Sequence, residues 1–372
     1  MRDPSRHLTY GRLACRRYFF IMKRLTALLL FAWATTLSAN PLLGLPALEI
    51  PANNPQTPEK IALGKKLFND VRFSSTGTIS CASCHHSNNA FTDGQAKAIG
   101  IEGLVGKRNS PTLVNAAYLS SLFHDGRAAS LEEQALEPLT NPVEHGLSDH
   151  AEILNVIRSD IDYLNGFLTT YGITVGKINI DHVTKAISSF ERSLIAGNSR
   201  FDQYLFGSKR NALSVSEARG LRIFRRKANC ANCHEISWDN ALFTDNRFYN
   251  IGVSFDSLRA VLPEFLAQLE KSRTDAVASL NEQQKSELGR FAVTQQLKDI
   301  GVYKTPTLRN IALTAPYMHD GSFKTLREVV DYYDKGGKKN KFLNPAIFPL
   351  HLTEQEKDDL VAFMESLTSP EL

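Results

Sequence analysis

Two Cys-x-x-Cys-His pentapeptides constrain the fold of this chain more than any other sequence feature. The first is CASCH at residues 81–85 and the second is CANCH at residues 230–234. In such a motif two thioether links fix a porphyrin beside the backbone, and the adjacent imidazole reaches the iron as its proximal ligand. A disulfide pair and half of a zinc site are the alternatives for cysteines with this spacing. We therefore predict two covalently bound haem c groups, which the following residues attach and ligate: Cys81, Cys84 and His85, then Cys230, Cys233 and His234.

The N-terminal region predicts export to the periplasm. Residues 22–39 have a basic start, an apolar run and then small residues, which is typical of a secretory signal peptide. The apolar run is too short to span a bilayer, and an N-terminal membrane anchor is the alternative interpretation. Met22 is a candidate for the true initiator. Residues 1–39 carry seven Lys/Arg and one Asp, so their removal changes the formal net charge from +4 to −2 and leaves no case for nucleic-acid binding.

The two halves of the chain repeat beyond the pentapeptides. LGKKLF before the first and ARGLRIF before the second each predict an amphipathic helix packed against the haem. Downstream, SPTLVNAAYLSSLFHDGRAASLEEQ aligns without a gap with TPTLRNIALTAPYMHDGSFKTLREV, at an offset of 195 residues. The cysteines are offset by only 149 residues, so the second half carries an insertion, whose composition predicts added helices. A Thr-x-x-Glu capping box at Thr353 predicts a final helix. The sequence thus predicts an all-α fold with two repeated cytochrome c-type haem domains, residues 40–205 and 206–372.

The repeats differ at a position where a haem ligand is expected. At the 195-residue offset, Tyr333 in the second half corresponds to Pro138 in the first. A phenol can bind iron and a proline cannot, so the second haem is predicted to be closed and the first open. Glu144 follows six residues after Pro138 and predicts a chemical site at the open haem. Met318 is the rival to Tyr333, whereas Met364 in the final helix is expected in the core.

From NPQTPEKIALGKKLF to FMESL, the chain resembles the bacterial di-haem cytochrome c peroxidase family, including its MauG branch. The resemblance implies a peroxidatic haem in the N-terminal domain, an electron-transfer haem in the C-terminal domain and a calcium ion between them. It also implies hydrogen peroxide as the substrate and a small c-type cytochrome or a cupredoxin as the electron donor. Because relatives are commonly dimers, a homodimer is an expectation from the same resemblance.

Motif by motif, the resemblance implies roles for individual residues. Gln134, Pro138 and Glu144 in EEQALEPLTNPVE match the distal pocket of the peroxidatic haem, where the glutamate moves a proton between the peroxide oxygens and the glutamine orients the peroxide. The calcium site is matched by the side chain of Asn109 in RNSPT and by two backbone carbonyls in LTAPY, those of Thr314 and Pro316.

The chain departs from the classical family pattern in three places. No histidine beyond His86 lies between the first pentapeptide and Asn109, so the peroxidatic haem is expected to be open without prior reduction. Tyr333 stands where classical members have methionine, which is the MauG arrangement. His124 stands where a tryptophan commonly relays electrons; it either serves as that relay, bonds a propionate or is a simple turn residue. His319 is expected near the second haem, and His145 is expected to face solvent.

Three functions compete on this sequence. A periplasmic peroxidase that reduces hydrogen peroxide is the leading hypothesis. A MauG-like enzyme that uses peroxide to oxidise residues of a partner protein is favoured by Tyr333. A di-haem electron carrier without chemistry would explain both pentapeptides, but it would leave the pocket of Gln134, Pro138 and Glu144 without a purpose.

Overall fold

Helices supply nearly all of the regular structure in the computed structural model, which describes residues 42–372. The predicted all-α fold is confirmed, and the only sheet within this range is an antiparallel pair of two-residue strands. The predicted leader, residues 1–39, lies outside the described residues. No helix within the described range is long and apolar enough to cross a membrane. The helices are α1 (Pro58–Phe68), α2 (Leu131–Gln134), α3 (Glu137–Thr140), α4 (Ala151–Ser159), α5 (Ile161–Tyr171), α6 (Ile180–Glu191), α7 (Arg200–Leu205), α8 (Val215–Arg225), α9 (Asp256–Arg259), α10 (Leu262–Leu269), α11 (Arg273–Ala278), α12 (Glu282–Glu287), α13 (Phe291–Thr294), α14 (Leu326–Asp334) and α15 (Glu354–Glu365), and the strands are β1 (Phe248–Tyr249) and β2 (Tyr303–Lys304).

The helix before each pentapeptide is present where the sequence predicts it. The Thr57 side chain caps α1 by accepting a hydrogen bond from a backbone N–H of the first turn, and Pro58 occupies a position whose N–H would have no helical partner. In the second half, Ser214 begins α8 with a capping box that Glu217 completes. The predicted capping box at Thr353 begins α15 in the same way.

Each half contains the same close crossing of two helices. In the first half α1 crosses α6 at Gly64, where an added Cβ would overlap the carbonyl oxygen of Ala186. In the second half α8 crosses α15 at Gly220, where an added Cβ would overlap the carbonyl oxygen of Asp359. Only a residue without a Cβ permits this approach of two backbones. The crossings make α6 and α15 equivalent, and each residue of α6 corresponds to the residue 173 positions later in α15.

The inserted segment of the second half folds into helices with a core of their own. Helices α9–α12 lie within residues 256–287, which confirms the helices predicted there. Phe265 and Phe291 are fully buried in the cluster that these helices form. Separate clusters, one containing Phe167 and the other Phe363, form the cores of the first and second halves. The β1–β2 pair joins the two ends of the insertion.

A reciprocal pair of backbone hydrogen bonds joins the two halves. The N–H of Asn109 donates to the carbonyl oxygen of His319 at 3.0 Å, and the N–H of Lys304 donates to that of His124 at 2.8 Å. Lys304 and His319 are the counterparts of Asn109 and His124 at the 195-residue offset of the repeat. The same bond is therefore made twice, once in each direction, and the register of the sequence alignment is also that of the structure.

A buried ion pair ties the start of the described chain to the second half. Two guanidinium nitrogens of Arg309 each lie 2.9 Å from a carboxylate oxygen of Asp202, and the two side chains are 1% and 0% exposed. Arg309 also donates to the carbonyl oxygens of Ala241 and Gly44. Asp202 in turn accepts hydrogen bonds from the backbone and hydroxyl of Ser199 at the start of α7. The polar atoms of this buried pair are thus satisfied by the other partner, by backbone groups and by the Ser199 hydroxyl.

Candidate haem sites and distal pocket

Each pentapeptide forms a short helical turn that presents its histidine in the same way. The backbone N–H of His85 donates to the carbonyl oxygen of Cys81 at 3.0 Å, and that of His234 donates to Cys230 at 2.9 Å. The ring Nδ1 of His85 lies 3.0 Å from the carbonyl oxygen of Phe91. With Nδ1 donating this bond, the Nε2 lone pair is left for a metal.

The second histidine and the cysteines complete the same arrangement. Nδ1 of His234 lies 2.9 Å from the carbonyl oxygen of Phe243. Burial lowers the pKa of His85 and of His234, which keeps both rings in the neutral form that ligation requires. The four described cysteines are free thiols, and no group of three or more Cys, His, Asp or Glu within residues 42–372 could hold a metal ion directly. These residues fit the attachment and proximal ligation of two haem c groups.

The predicted distal residues lie on two short helices and the loop that follows them. Gln134 ends α2, Pro138 lies in α3, and Glu144 lies in the loop after α3. The Asn141 side chain donates a hydrogen bond to Oε1 of Glu144 at 2.7 Å. Glu144 lies close enough to the first haem motif to influence its charge. Burial raises the pKa of the Cys84 thiol, and the negative charges of Asp93 and Glu144 raise it further. The structure therefore brings Glu144 to the side of the first pentapeptide.

The surroundings of Glu144 raise its pKa, so that it binds a proton at higher pH than an ordinary carboxylate does. The residue is half-buried, and burial raises its pKa above the ordinary value. Arg127 lowers this pKa and Glu137 raises it, so the two neighbouring charges oppose each other. Glu144 is consequently able to carry a proton closer to neutral pH, as general acid–base work requires.

The expectation that His145 faces solvent is wrong. Its side chain is buried, and its Nδ1 lies 2.7 Å from the carbonyl oxygen of Phe73. Its own carbonyl oxygen accepts from the N–H of Ser75 at 2.8 Å. The loop turns inward here because the backbone of Ile101 holds its other side through the carbonyl oxygen of Val143. His145 therefore anchors the loop that carries the neighbouring glutamate.

Tyr333 lies on α14 beside the second haem motif. Burial raises the pKa of its phenol, and the nearby Cys230 and Cys233 thiols add to that effect. Within the described residues its hydroxyl makes no hydrogen bond, whereas the neighbouring Tyr332 hydroxyl donates to the carbonyl oxygen of Ile251 at 2.8 Å. Tyr333, predicted to be an iron ligand, thus lies buried beside the second haem motif.

The junction between the halves contains a charged cluster that the sequence did not predict. Glu287, from the last inserted helix, accepts from Arg108 at 2.9 Å and lies 3.1 Å from Nε2 of His319. Burial opposes ionisation of Glu287, but the hydrogen bond from His319 and the charge of Arg108 outweigh it and lower its pKa. The ring of Tyr303 stacks on His319 at a centroid distance of 3.7 Å, and its hydroxyl donates to Glu287. His319 is thereby fixed at the junction.

His124, the predicted relay, and Asn109, a predicted calcium ligand, contact each other at the same junction. Nε2 of His124 lies 3.0 Å from the carbonyl oxygen of Asn109, and burial lowers the pKa of His124 to about 3, so its ring is neutral. The Asn109 side chain donates through Nδ2 to the carbonyl oxygen of Gln95 at 2.8 Å, which turns Oδ1 toward other partners. The backbone bond from Asn109 to His319 brings it to the loop that contains Thr314 and Pro316.

Comparison with known proteins agrees with this geometry. The family model for di-haem cytochrome c peroxidase matches residues 58–210, and the model for cytochrome c matches residues 294–368. Cytochrome-c peroxidase IdrP1 of Pseudomonas sp. (strain SCT) is 36% identical over 354 residues, which cover 91% of this chain and 89% of that protein. Methylamine utilization protein MauG of Methylorubrum extorquens is 34% identical over 320 residues, which cover 85% and 80%.

Solved structures show the same relationship. The crystal structure of a MauG-like protein associated with microbial copper homeostasis is 33% identical, with a TM-score of 0.73 and coverage of 91% of this chain and 95% of that one. The di-haem peroxidase BthA of Burkholderia thailandensis, at 24% identity and a TM-score of 0.69, shares the fold. The protein therefore belongs to the di-haem cytochrome c peroxidase family, and it is a haem c oxidoreductase of the peroxidase type.

Proposed function

We propose that the protein reduces hydrogen peroxide to two waters in the periplasm. The N-terminal haem domain (residues 40–205) carries out the chemistry, and the C-terminal domain (residues 206–372) receives electrons singly from a small c-type cytochrome or a cupredoxin. The observation that carries this proposal is Glu144, a half-buried carboxyl that lies by the first haem motif and whose pKa is raised by burial. At the same offset the second half has Lys339 in place of Glu144, and Tyr333 in place of Pro138 lies beside its haem motif.

In this mechanism the chain's own residues bind peroxide and move its protons. When bound, the haem iron supplies the site where peroxide binds and accepts electrons. Glu144 accepts a proton from one peroxide oxygen and returns it to the other, the leaving oxygen. The amide of Asn141 holds Oε1 of the carboxyl and so leaves Oε2 for the proton. Gln134 orients the peroxide, and Pro138 keeps the distal side open because it cannot bind iron. His124, buried at the junction, is the proposed relay between the haems.

Steady-state oxidation of a reduced c-type cytochrome by peroxide tests the proposal. As-isolated, fully oxidised protein is expected to turn over without a lag, because the segment between the first pentapeptide and Asn109, where classical members carry the closing histidine, has none beyond His86. A requirement for pre-reduction would contradict an open haem. Rapid loss of peroxide with little oxidation of the cytochrome would contradict the peroxidase and favour the second candidate below.

Tyr333 favours a second candidate, an enzyme that uses peroxide to oxidise residues of a partner protein. Its phenol is expected to lower the potential of the second haem relative to a thioether ligand. Tyr333→Met is therefore expected to raise that potential and to change the absorption spectrum of the second haem. Tyr332→Phe is the matched control, because its hydroxyl donates to the carbonyl oxygen of Ile251. If Tyr333→Met and Tyr333→Phe both leave the potential unchanged, Tyr333 is not the ligand and Met318 takes its place.

A calcium ion at the junction is the further part of this proposal. Asn109 Oδ1 and the backbone carbonyls of Thr314 and Pro316 are the hard oxygen ligands that calcium prefers, and waters would complete the set. Calcium added to chelator-treated protein is expected to raise the melting temperature, since a ligand at 100 times its Kd stabilises by about 2.7 kcal/mol. Asn109→Ala should abolish most of this rise, and magnesium serves as the control ion. An unchanged rise in Asn109→Ala would remove this residue from the site.

A further inference from the structure

The inward face of α6 carries two polar side chains without a partner. Glu191 is 4% exposed, and its Oε2 makes no hydrogen bond within the described residues. Ser188 is 0% exposed, and its hydroxyl also makes none. Residues three apart on a helix share one face. Because buried polar atoms in native proteins are almost always bonded, two adjacent orphans on one face indicate a group that they serve.

The group that these side chains serve is the first haem. Burial raises the pKa of the Cys81 thiol, and Glu191 is the charge that adds most to the effect. Phe190, the neighbour of Glu191, packs against Phe68 and Phe91 at centroid distances of 5.1 and 6.4 Å. The carbonyl oxygen of Phe91 is the one that holds the ring of His85. The end of α6 therefore packs on the segment that holds the ring of His85, the predicted proximal ligand.

The second half shows that the fold itself does not require these polar groups. Phe363 of α15 is the counterpart of Phe190 of α6. Each ring lies about 5 Å from a phenylalanine ring of the helix that it crosses, Phe224 of α8 and Phe68 of α1 respectively. Under the same equivalence Ser188 corresponds to Val361 and Glu191 to Met364. Apolar side chains thus fill the same positions beside the second haem. The carboxyl is specific to the half that carries the open haem.

The charged surroundings of Glu191 leave it able to gain and lose a proton near neutral pH. Burial and, to a lesser extent, the charge of Glu132 raise its pKa to about 8, against the opposing charge of Arg192. Arg192 is itself paired with Glu132 through a hydrogen bond of 2.8 Å, so neither provides Glu191 with a bond. The other charged groups on the packed elements are Lys60 of α1, which bonds to Asn54 and Pro55, and Lys185 of α6, which bonds to Asp181.

We propose that Glu191 is the proton-holding group of the N-terminal haem, which binds one proton from solvent when that haem gains one electron and releases it when the haem loses the electron. In a low-dielectric interior the added electron raises the proton affinity of a nearby carboxylate. The hydroxyl of Ser188, on the same face of α6, has no partner within the described residues and is available to the carboxyl. Reduction of peroxide to two waters consumes two electrons and two protons, and Glu144 only moves a proton within the peroxide, so protons must be supplied from elsewhere. The inference rests on the assignment of the first haem as the reacting one.

Equilibrium redox titration of the di-haem protein, without peroxide, tests the inference at a series of pH values on both sides of neutrality. The potential of the N-terminal haem is expected to fall with rising pH by up to about 59 mV for each tenfold decrease in proton concentration. Glu191→Gln is expected to remove this slope. The C-terminal haem of the same molecules is the internal control, and Glu59→Gln, an exposed carboxylate on α1, is the matched variant that keeps the slope.

Infrared difference spectra give a second readout that does not depend on a variant. The reduced-minus-oxidised spectrum of the wild type should contain a carboxylic-acid band that shifts in deuterated water and that Glu191→Gln removes. A wild-type potential independent of pH, or a full slope in Glu191→Gln, would overturn the inference. If Glu191→Gln fails to fold, Glu191→Met, which introduces the residue found at this position in the second half, replaces it. The wild-type infrared band then serves as the second test of the inference. A wild-type protein whose N-terminal haem potential depends on pH, but which has no peroxidase activity, would instead count against the proposed function alone.

Discussion

Glu144→Gln is expected to lower kcat for peroxide reduction by about 10²–10⁴-fold, the usual contribution of a general acid–base group. Both haems should remain attached, because Glu144 contributes to neither pentapeptide. Glutamine retains the shape of the side chain and its bond to Asn141, but it cannot accept the proton from peroxide. The measurement is the steady-state rate with a reduced c-type cytochrome, together with the absorption spectrum of the resting protein.

The same carboxyl predicts the acid side of the pH profile. Glu144 must be ionised to accept a proton, and burial raises its pKa above 4.5. Activity of the wild type should therefore fall as the pH decreases through that raised pKa, and the residual activity of Glu144→Gln should lack this decline. Glu133→Gln is the matched control, since Glu133 is exposed and bonds through one oxygen to the backbone of Ala129. An unreduced kcat in Glu144→Gln would exclude Glu144 as the acid–base group.

Arg309→Met is expected to lower the free energy of unfolding by about 3–5 kcal/mol, because it leaves the carboxylate of Asp202 buried without its counter-ion. The pair is almost wholly inaccessible to solvent, at 1% and 0% exposure. Urea unfolding of the haem-loaded protein measures the change. Lys66→Met is the control for an exposed pair, because Lys66 and Asp162 lie 3.5 Å apart at 41% and 77% exposure, and such pairs contribute about 0–1 kcal/mol.

A double variant separates the buried charge from the lost packing of the arginine. Asp202→Leu combined with Arg309→Met removes both charges, and is expected to recover a large part of the stability lost in Arg309→Met alone. Recovery will be incomplete, since Asp202 also bonds to Ser199 at the start of α7. If Arg309→Met unfolds at the same urea concentration as Lys66→Met, burial of the pair carries no stability.

Local signals explain why much of the fold could be predicted from the sequence. Pro58, Ser214 and Thr353 mark helix starts through chemistry that lies within one turn, and the amphipathic pattern that follows them is also local. The repeat was visible because its two copies retain the same spacing. The haem ligands followed from a pentapeptide that contains both the attachment points and the iron ligand.

The sequence could not predict which polar residues would be buried by distant segments. Arg108 and Glu287 bond to each other across 179 residues, and nothing near either one indicates the other. The sequence predicts that His145 faces solvent, yet its ring bonds to the backbone of a segment 72 residues earlier. The sequence alignment of the repeats did not reach Glu191, and only the two equivalent helix crossings identify Met364 as its counterpart. The roles of Gln134 and Glu144 are predictions from the resemblance, and the Glu144→Gln variant tests the second of them.

The reciprocal bonds at the junction explain how a duplicated chain was able to specialise. They join N–H to carbonyl groups of the main chain, and so they impose no requirement on the side chains that carry them. Asn109 and Lys304 make the same bond with different side chains. The symmetric backbone contact therefore tolerates the side-chain differences between the two copies, such as Tyr333 against Pro138 and Met364 against Glu191. Side chains near each haem motif can change in one half without loss of the contact that joins the halves.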